Sequence, residues 1–447
     1  MARFMRMLAI SFCLGAVVAA GPTQAAELRV GAAAAELEAD DTMPIAGGIH
    51  AWRAKGQEGK LRATAVVIES GHGTALAIVS CDVLAVTRDL GDAAVAEIVK
   101  ECGIPAENVL LHATHTHHAP STLRVHGYGR CEPFCERLKA GIVKSVREAR
   151  RKLSAARFLF AMAEERTVGM NSRLLLKDGT IFWVGSREDA VRPTGPFDPD
   201  LPVFVFRSTA GSLVALLYGH STHSIGSLRP GVRSPTFYGM VAQDLETQLG
   251  GIVAFLEGAS GSTHNYNCSA QEAFSRIKQA VLAGLDRAQV QEVTKLAAIK
   301  RPFTFKVRTF DEAAEEEAVS QYCNKRIKAG AESVISVFRQ MRRELAPHQG
   351  QMRQTWLQVM RIGEVAIVGV PAELFTRLGI DIKKRSPLKH TVVVELANDW
   401  IGYLPDREAH QLGGYQVWTG LHSYAEPGTG ERLVEEAVAM LKKLAEP

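Results

Sequence analysis

Strand-like and helix-like segments alternate along almost the whole chain, and this alternation limits the fold more than any other sequence feature. Short apolar runs bounded by Gly, Ser or Asp are typical of buried strands, whereas apolar residues three to four apart predict helices. Strands are predicted at 28–30, 63–69, 75–80, 109–113, 203–206, 213–218, 252–256, 365–370 and 391–396, and helices at 87–101, 136–153, 239–248, 272–287, 311–345 and 430–444. Because no repeat or low-complexity linker interrupts this pattern, we expect one large mixed α/β domain with mixed sheets flanked by helices.

The first 25 residues have the layout of a secretory signal peptide. Arg3 and Arg6 form a basic start, an apolar run covers 7–20, and small residues end the segment at Ala25. The apolar run is shorter than the roughly 20 residues that a membrane-spanning helix requires. We therefore predict a signal peptide at 1–25, a single domain at 26–447, no transmembrane anchor after cleavage, and a secreted or periplasmic location.

The charge balance argues against nucleic acid as a partner. The 447 residues include 52 Lys and Arg against 48 Asp and Glu, which gives a formal net charge of +4. This near-neutral balance provides no electrostatic basis for binding nucleic acid or an anionic membrane. The hydrophobic fraction of 46% is close to the globular average, which excludes a disordered or collagen-like chain.

Two histidine-rich segments directly follow apolar strands. In the segment 112–120, His115 and His117 point the same way if the backbone is extended, so both could face one metal ion or one substrate. The alternative is a polar loop whose histidines satisfy backbone groups. The second segment, 218–223, contains His220 and His223. A metal site formed here would need acids or tyrosines from elsewhere, because the HExxH pattern of zinc proteases is absent.

Three further segments carry polar groups after apolar runs. The Gly- and Ser-rich segment 255–265 could present an oxyanion hole, a serine or a histidine, or it could be a tight strand-to-helix turn. Glu373 follows the apolar strand at 365–370, and Tyr403 and Tyr415 supply phenols. Taken singly, each of these is more typical of a structural feature than of a site.

Taken together, these segments resemble the N-terminal catalytic domain of the neutral/alkaline, non-lysosomal ceramidase family. Residues 114–120 resemble its THTHSGP motif, and 168–173 resemble its Asn-Arg segment. Residues 255–265 resemble its Gly-Asp-x-Ser-Pro loop, while 371–375 and 398–415 resemble its two C-terminal motifs. The resemblance spans nearly all of 26–447 in the family's order. We therefore expect no residues for the β-sandwich domain of full-length relatives, which weakens the case for ceramide itself.

The resemblance implies a zinc-dependent amidohydrolase acting on a small-molecule or lipid substrate, such as an N-acyl sphingolipid or another N-acyl compound. It also implies a role for each matching residue. The implied zinc ligands are His115, His220, Glu373 and Tyr403; the implied catalytic residues are His117, Arg173, His264 and Tyr415; the implied substrate-binding residues are Asn171, Gly258 and Ser262.

The chain departs from the family at the expected nucleophile. Aligned without a gap from Gly258, the family's serine falls on His264 and the preceding aspartate on Ser262. The family's arginine falls on Ser172, so Arg173 would have to replace it from the next position. The attacking group is then either water activated by the metal, with His264 or His117 as the proton carrier, or a displaced serine. Two alternatives stay open: a zinc hydrolase for non-ceramide esters or amides, and a zinc-containing binding protein without catalysis.

Overall fold

The computed structural model describes residues 28–446, so the predicted signal peptide at 1–25 lies outside the described residues. The helices are α1 (Arg88–Cys102), α2 (Glu132–Arg151), α3 (Thr236–Leu249), α4 (Ala270–Arg287), α5 (Glu312–Arg326), α6 (Ala331–Leu345), α7 (Thr376–Arg385), α8 (Arg407–Leu412) and α9 (Thr429–Ala445). Within this part of the chain, no helix combines the length and the apolar composition needed to cross a bilayer.

The strands build one large and one smaller sheet together with several two-stranded ribbons. They are β1 (Arg29–Glu36), β2 (Pro44–Ile45), β3 (Trp52–Arg53), β4 (Arg62–Glu69), β5 (Ala75–Cys81), β6 (Val109–Ala113), β7 (Ser154–Glu164), β8 (Met170–Asn171), β9 (Leu174–Leu176), β10 (Ala190–Pro193), β11 (Asp200–Ser208), β12 (Leu213–His220), β13 (Ile252–Glu257), β14 (Thr263–His264), β15 (Gln289–Gln291), β16 (Leu296–Lys306), β17 (Met352–Ile362), β18 (Val365–Gly369), β19 (Glu373–Leu374), β20 (His390–Val394) and β21 (Tyr403–Leu404).

The large sheet has nine strands in the order β13-β12-β11-β7-β1-β4-β5-β6, with β15 added beside β7. Two pairs are parallel, β5 with β6 and β12 with β13, and the other pairs are antiparallel. The smaller sheet has the order β16-β17-β18-β20, and its last pair is parallel. Both sheets are therefore mixed, as the sequence predicted.

Successive residues of the central strands pack into two different apolar layers. Val66 and Ile68 of β4 pack between the two sheets, in a cluster that also contains Ile367 of the smaller sheet. Ala65 and Val67 point to the opposite face, where they pack with residues of α1 and α2. Because successive strand residues face opposite sides, each central strand serves both layers.

Helices cover both outer faces, which gives four layers in the order helix, sheet, sheet, helix. The helices α3 and α4 cover the β11–β13 side of the large sheet, and α7 and α9 cover the smaller sheet. The mixed α/β class with flanking helices is therefore confirmed. The region predicted to be helical at 311–345 is helical, but it is divided into α5 and α6, and Gly330 between them has a left-handed backbone with φ 81°.

The sequence motifs lie where strands end. Both parallel pairs of the large sheet, and β18 of the smaller sheet, lead directly into the segments singled out above. Carboxyl ends of parallel strands are where α/β proteins place their functional loops. The two-residue strands β19 and β21 add a parallel ribbon whose register sets Glu373 opposite Tyr403.

Shortening Ile78, which is buried between the two sheets, should destabilise the fold strongly. We expect Ile78→Ala to lower the free energy of unfolding by about 2–5 kcal/mol, because the lost side chain leaves a cavity. Val99 on α1 is 39% exposed, so Val99→Ala should change that free energy by no more than about 0.5 kcal/mol. Denaturant titration of both variants measures the difference, and equal effects would contradict the two-sheet core.

Candidate metal centre and active-site cavity

Four buried side chains from separate loops meet beyond the ends of the strands. His115 lies two residues after β6, and His223 lies three residues after β12. Glu373 and Tyr403 come from the paired strands β19 and β21. All four are at most 6% exposed, so water contributes little to the solvation of their polar atoms.

The donor atoms of this group lie at distances typical of ligands around one ion. His115 Nε2 is 3.0 Å from His223 Nε2 and 3.4 Å from Glu373 Oε2. His223 Nε2 is 3.6 Å from Glu373 Oε2 and 3.5 Å from the Tyr403 hydroxyl. Tetrahedral ligands about 2.0–2.1 Å from zinc are separated by roughly 3.3 Å, which the observed separations bracket.

Both histidines turn Nε2 toward each other and have Nδ1 against a backbone carbonyl. His115 Nδ1 donates to the Leu84 carbonyl at 2.8 Å, and His223 Nδ1 donates to the Ser260 carbonyl at 3.2 Å. A carbonyl oxygen only accepts, so in the neutral rings the proton is on Nδ1 and the lone pair is on Nε2. Such backbone contacts behind the ring are typical of metal-binding histidines.

Glu373 supplies a negative charge to the same point. Burial alone would raise the pKa of Glu373, but positive charge on the facing rings of His115 and His223, together with a hydrogen bond from Trp400, lowers it to about 2. Trp400 Nε1 donates to Oε1 at 3.0 Å, which leaves Oε2 facing the two imidazoles. Two imidazole nitrogens and a carboxylate oxygen facing one another are stabilised by a positive charge between them, which a proton on one ring or a metal ion can supply, so these residues fit a metal ion.

A third histidine, His117, stands beside this group. Its ring centroid is 4.8 Å from that of His115, and its donor atom lies within 4.8 Å of those of His115 and His223. His117 Nδ1 donates to the Gly47 carbonyl at 3.1 Å, whereas its buried Nε2 has no hydrogen-bond partner. Burial, and then the neighbouring histidines, hold the pKa of His117 well below its ordinary value. His117 is therefore neutral, with a free acceptor nitrogen.

A cavity of about 230 Å³ opens onto the histidine cluster. Its lining contains polar groups close to the cluster and aromatic or aliphatic side chains around them. The lining residues are Gly47, Ile49, His117, Ser172, Trp183, His223, Ile225, Gly261, Thr263, His264, Tyr266, Tyr403, Tyr415 and Gln416. A larger surface groove of about 630 Å³, between α5 and the loop before Trp418, contains none of the clustered donors.

Two of the predicted catalytic residues belong to ring stacks that wall this cavity. Tyr415 stacks on Trp183 with centroids 4.7 Å apart and planes 5° apart. His264 stacks on Tyr266 at 4.3 Å and faces the ring of His223 at 5.8 Å. Burial, and then Glu373, raise the pKa of Tyr415 well above its ordinary value, so its hydroxyl keeps its proton.

The structure does not bring His220 to the cluster. His220 is the last residue of β12, where its ring points toward α3. Its Nδ1 accepts from the Tyr238 hydroxyl at 2.7 Å, and its Nε2 donates to the Glu165 carbonyl at 3.1 Å. Both nitrogens are therefore occupied, and His223, past the strand end, takes the place expected for His220.

Arg173 and Asn171 also lie outside the cavity. The Arg173 guanidinium donates to the carbonyls of Gly413 and Ala409 at 2.6 and 3.2 Å and to Gln416 Oε1 at 3.0 Å. Burial lowers the pKa of Arg173 to about 10. Asn171 Nδ2 donates to the Pro196 carbonyl at 3.1 Å. Their contacts hold neighbouring loops, and neither is available to a substrate carbonyl.

The Gly- and Ser-rich segment turns its hydroxyls away from the cavity. Ser260 Oγ donates to Glu395 at 2.6 Å, and Ser262 Oγ contacts Thr376 Oγ1 at 3.2 Å. Gly258 packs against Ser221, where a Cβ would come within 2.4 Å of its Oγ. Ser172, in contrast, lines the cavity at the position of the family's arginine.

Several contributors to this site were not identified in the sequence, among them Gly47, Trp183 and Tyr266. Gly47 has a positive φ of 101°, and a Cβ there would lie 2.4 Å from His117 Nδ1. The Gly47-Gly48 pair could have indicated a tight turn. Nothing in the sequence indicates that this turn touches a histidine 70 residues later.

Replacing Gly47 should therefore disturb His117 as well as the backbone. Gly73 also has a positive φ, 85°, but a Cβ there meets nothing within 4 Å, so Gly73→Ala reports the backbone cost alone. We expect Gly73→Ala to cost about 1 kcal/mol of unfolding free energy and Gly47→Ala at least about 2 kcal/mol. Chemical denaturation compares them, and a smaller cost for Gly47→Ala would contradict the close approach to His117.

Comparison with known proteins gives a consistent result. No family profile matches the chain. The neutral ceramidase of Pseudomonas aeruginosa is 23% identical over 457 aligned residues, which cover 85% of this chain. The chain spans 66% of that relative's own length, slightly less than two thirds.

Two solved structures have the same fold. A crystal structure of neutral ceramidase from Pseudomonas aeruginosa matches with a TM-score of 0.71 and 20% identity, over 95% of this chain and 76% of that one. A structure described as ceramidase complexed with C2 matches with a TM-score of 0.72 and 20% identity, over 94% and 75%. The chain therefore has the fold of neutral ceramidase, and the resemblance of its motifs to that family is confirmed.

Proposed function

We propose that this chain is a zinc-dependent hydrolase of the neutral ceramidase kind, which cleaves a carbon–nitrogen amide bond of an N-acyl compound. The observation that carries the proposal is the convergence of His115 Nε2, His223 Nε2 and Glu373 Oε2 within 3.6 Å, beside Tyr403. Nitrogen and carboxylate donors at these separations suit zinc. The proposed ligand set replaces His220 by His223.

Bound zinc would act as a Lewis acid that polarises a carbonyl and lowers the pKa of a water molecule. The protein must then accept a proton near the ion. His117 suits this role, because Gly47 holds its proton on Nδ1 and its Nε2 is free. His264 is the second proton carrier in the cavity, and its Nδ1 lies 3.0 Å from Asn265 Oδ1.

Tyr415 is the group best placed to stabilise charge on the substrate carbonyl. It lines the cavity, and its ring lies edge-on to the Tyr403 ring with centroids 5.7 Å apart. A phenol that keeps its proton can donate a hydrogen bond to a developing oxyanion. Arg173 has no part in this proposal, because its guanidinium is bonded to backbone carbonyls.

The cavity supports an N-acyl substrate with a compact reacting end. Its volume of about 230 Å³ is below the roughly 300–1,000 Å³ typical of sites that enclose a drug-sized molecule. The amide and its nearest carbons would sit between the aromatic walls, and a long acyl chain would extend past Ile49 and Ile225 toward solvent. An ester with the same dimensions would fit equally well.

We further propose that the protein is exported to the periplasm or outside the cell. The support is the basic and apolar pattern of residues 1–25. An exported enzyme would meet N-acyl lipids or small amides outside the cytoplasm.

A second candidate is a zinc-containing binding protein without catalysis. The observation that favours it is that Ser260 donates to Glu395, Ser262 contacts Thr376 and Thr263 donates to the Ser221 carbonyl, so each of these hydroxyls is already engaged. Turnover of fluorogenic N-acyl amides or esters by the zinc-loaded protein would exclude this candidate.

Zinc content should separate the two histidines that follow β12. We expect His223→Ala to weaken zinc binding on the order of 100-fold or more, because even residues behind metal ligands are worth 10–100-fold. His220→Ala should retain stoichiometric zinc, because His220 contacts Tyr238 and Glu165. Elemental analysis of the two purified variants tests this, and the opposite result would restore His220 as the ligand.

Removal of the free imidazole nitrogen should slow the reaction without removing the ion. We expect His117→Ala to lower kcat for an N-acyl amide about 10²–10⁴-fold, the usual contribution of a general base. Zinc content should stay stoichiometric, because His117 lies outside the proposed ligand set. Unchanged kcat in a zinc-loaded variant would remove His117 from the mechanism and leave His264 as the proton carrier.

A further inference from the structure

A second group of histidines lies beside Tyr415, outside the proposed ligand set. The Tyr415 hydroxyl lies 3.2 Å from His126 Nε2. His422 stacks on the Tyr415 ring at 5.0 Å, and its Nε2 donates to the Tyr415 carbonyl at 3.1 Å. Both histidines are buried, at 8% and 1% exposure. The mechanism above uses neither of them.

The hydrogen bond between Tyr415 and His126 has a defined direction. His126 Nδ1 donates to the Gly48 carbonyl at 3.1 Å, so the neutral ring carries its proton on Nδ1 and a lone pair on Nε2. The Tyr415 hydroxyl must therefore be the donor to His126. A buried donor with a fixed acceptor is confined in position far more closely than a hydroxyl held only by ring packing.

The backbone at His126 is strained in a way that keeps this ring in place. His126 has φ 54°, in the left-handed region that non-glycine residues seldom adopt. It occupies a tight turn in which Val125 and Tyr128 exchange backbone hydrogen bonds of 3.3 and 3.4 Å. Such strain persists where the surroundings fix the conformation, and it is concentrated at functional sites.

The turn that contains His126 packs against the Gly47-Gly48 turn, which fixes its conformation. Tyr128 accepts from the Gly47 amide at 2.6 Å, and the Gly127 amide donates to the Ile49 carbonyl at 3.3 Å. The adjacent carbonyls of Gly47 and Gly48 accept from His117 and His126 respectively. The Gly47-Gly48 turn therefore determines that both His117 and His126 carry their proton on Nδ1.

We propose that His126 is a positioning residue, which holds the Tyr415 hydroxyl at the wall of the cavity so that it can reach the substrate carbonyl. The inference depends on the proposed function, because it gives Tyr415 a role toward that carbonyl. In the resting protein the hydroxyl donates its one proton to His126, which keeps the hydroxyl oxygen in place; the developing oxyanion, the stronger acceptor, then takes over that hydrogen bond from the oxygen so positioned. His126 acts only through Tyr415 and touches no reacting atom.

A double-mutant cycle tests the coupling between the two residues. We expect His126→Phe to lower kcat about tenfold while KM changes less than about twofold. In a protein that already carries Tyr415→Phe, the same substitution should lower kcat by less than a further factor of about two. His126→Gln, which retains an acceptor, should recover kcat to within about threefold of the unsubstituted protein. The control is His72→Phe, because His72 is exposed in the turn between β4 and β5 and lines no part of the cavity, and it should leave kcat unchanged.

Additive losses in the cycle, or zinc lost from His126→Phe, would overturn the positioning role. A readout independent of turnover is the ring-nitrogen NMR spectrum of histidine-labelled protein. It should show His126 protonated on Nδ1 and an Nε2 signal that shifts in Tyr415→Phe. An Nε2 signal that does not move would also overturn the proposal.

Absence of amide turnover by the unsubstituted, zinc-loaded protein would instead contradict the proposed function. The NMR result would still show whether Tyr415 donates a hydrogen bond to His126.

Discussion

The site depends on one electrostatic constraint: bare imidazole nitrogens and a carboxylate oxygen are held facing one another in a buried space. His115 Nε2 and His223 Nε2 are 3.0 Å apart, with Glu373 Oε2 within 3.6 Å of both. Without a positive charge at this point, from a ring proton or a metal ion, the arrangement costs free energy, because lone pairs repel and burial removes the solvent that would screen them. Backbone carbonyls behind the rings and Trp400 behind the carboxylate maintain it. The surrounding loops therefore fix donors whose only common partner is a positive ion.

The four-layer fold meets this constraint by ending several strands at one place. Parallel pairs in each of the two sheets direct their following loops to the same edge, and the β19–β21 ribbon sets Glu373 beside Tyr403. The Gly47-Gly48 turn lies next to the proposed ligands, and its two carbonyls orient the rings of His117 and His126. The ends of strands and the β19–β21 ribbon thus supply the proposed ligands. A turn with a backbone conformation that favours glycine orients the His117 ring, the proposed proton acceptor.

The alternation of strands and helices predicted the architecture, and the family resemblance implied three of the four clustered donors, His115, Glu373 and Tyr403. The resemblance implied His220 as the fourth donor instead of His223, which lies in the same segment; β12 continues through His220 and leaves His223 in the loop beyond it. The sequence pattern missed the long strands β7, β16 and β17, in which charged residues such as Lys300, Arg301 and Arg353 interrupt the apolar pattern. It also missed His126, because the contact with Tyr415 joins residues 289 positions apart.

The most direct test of the account is a crystal structure of zinc-loaded protein with anomalous diffraction measured on both sides of the zinc absorption edge. The account predicts one strong peak about 2.0–2.2 Å from His115 Nε2, His223 Nε2, Glu373 and Tyr403, the distances at which zinc binds nitrogen and oxygen ligands. His220 should remain bonded to Tyr238 and Glu165. A peak coordinated by His220, or no peak among the four side chains at saturating zinc, would contradict the account.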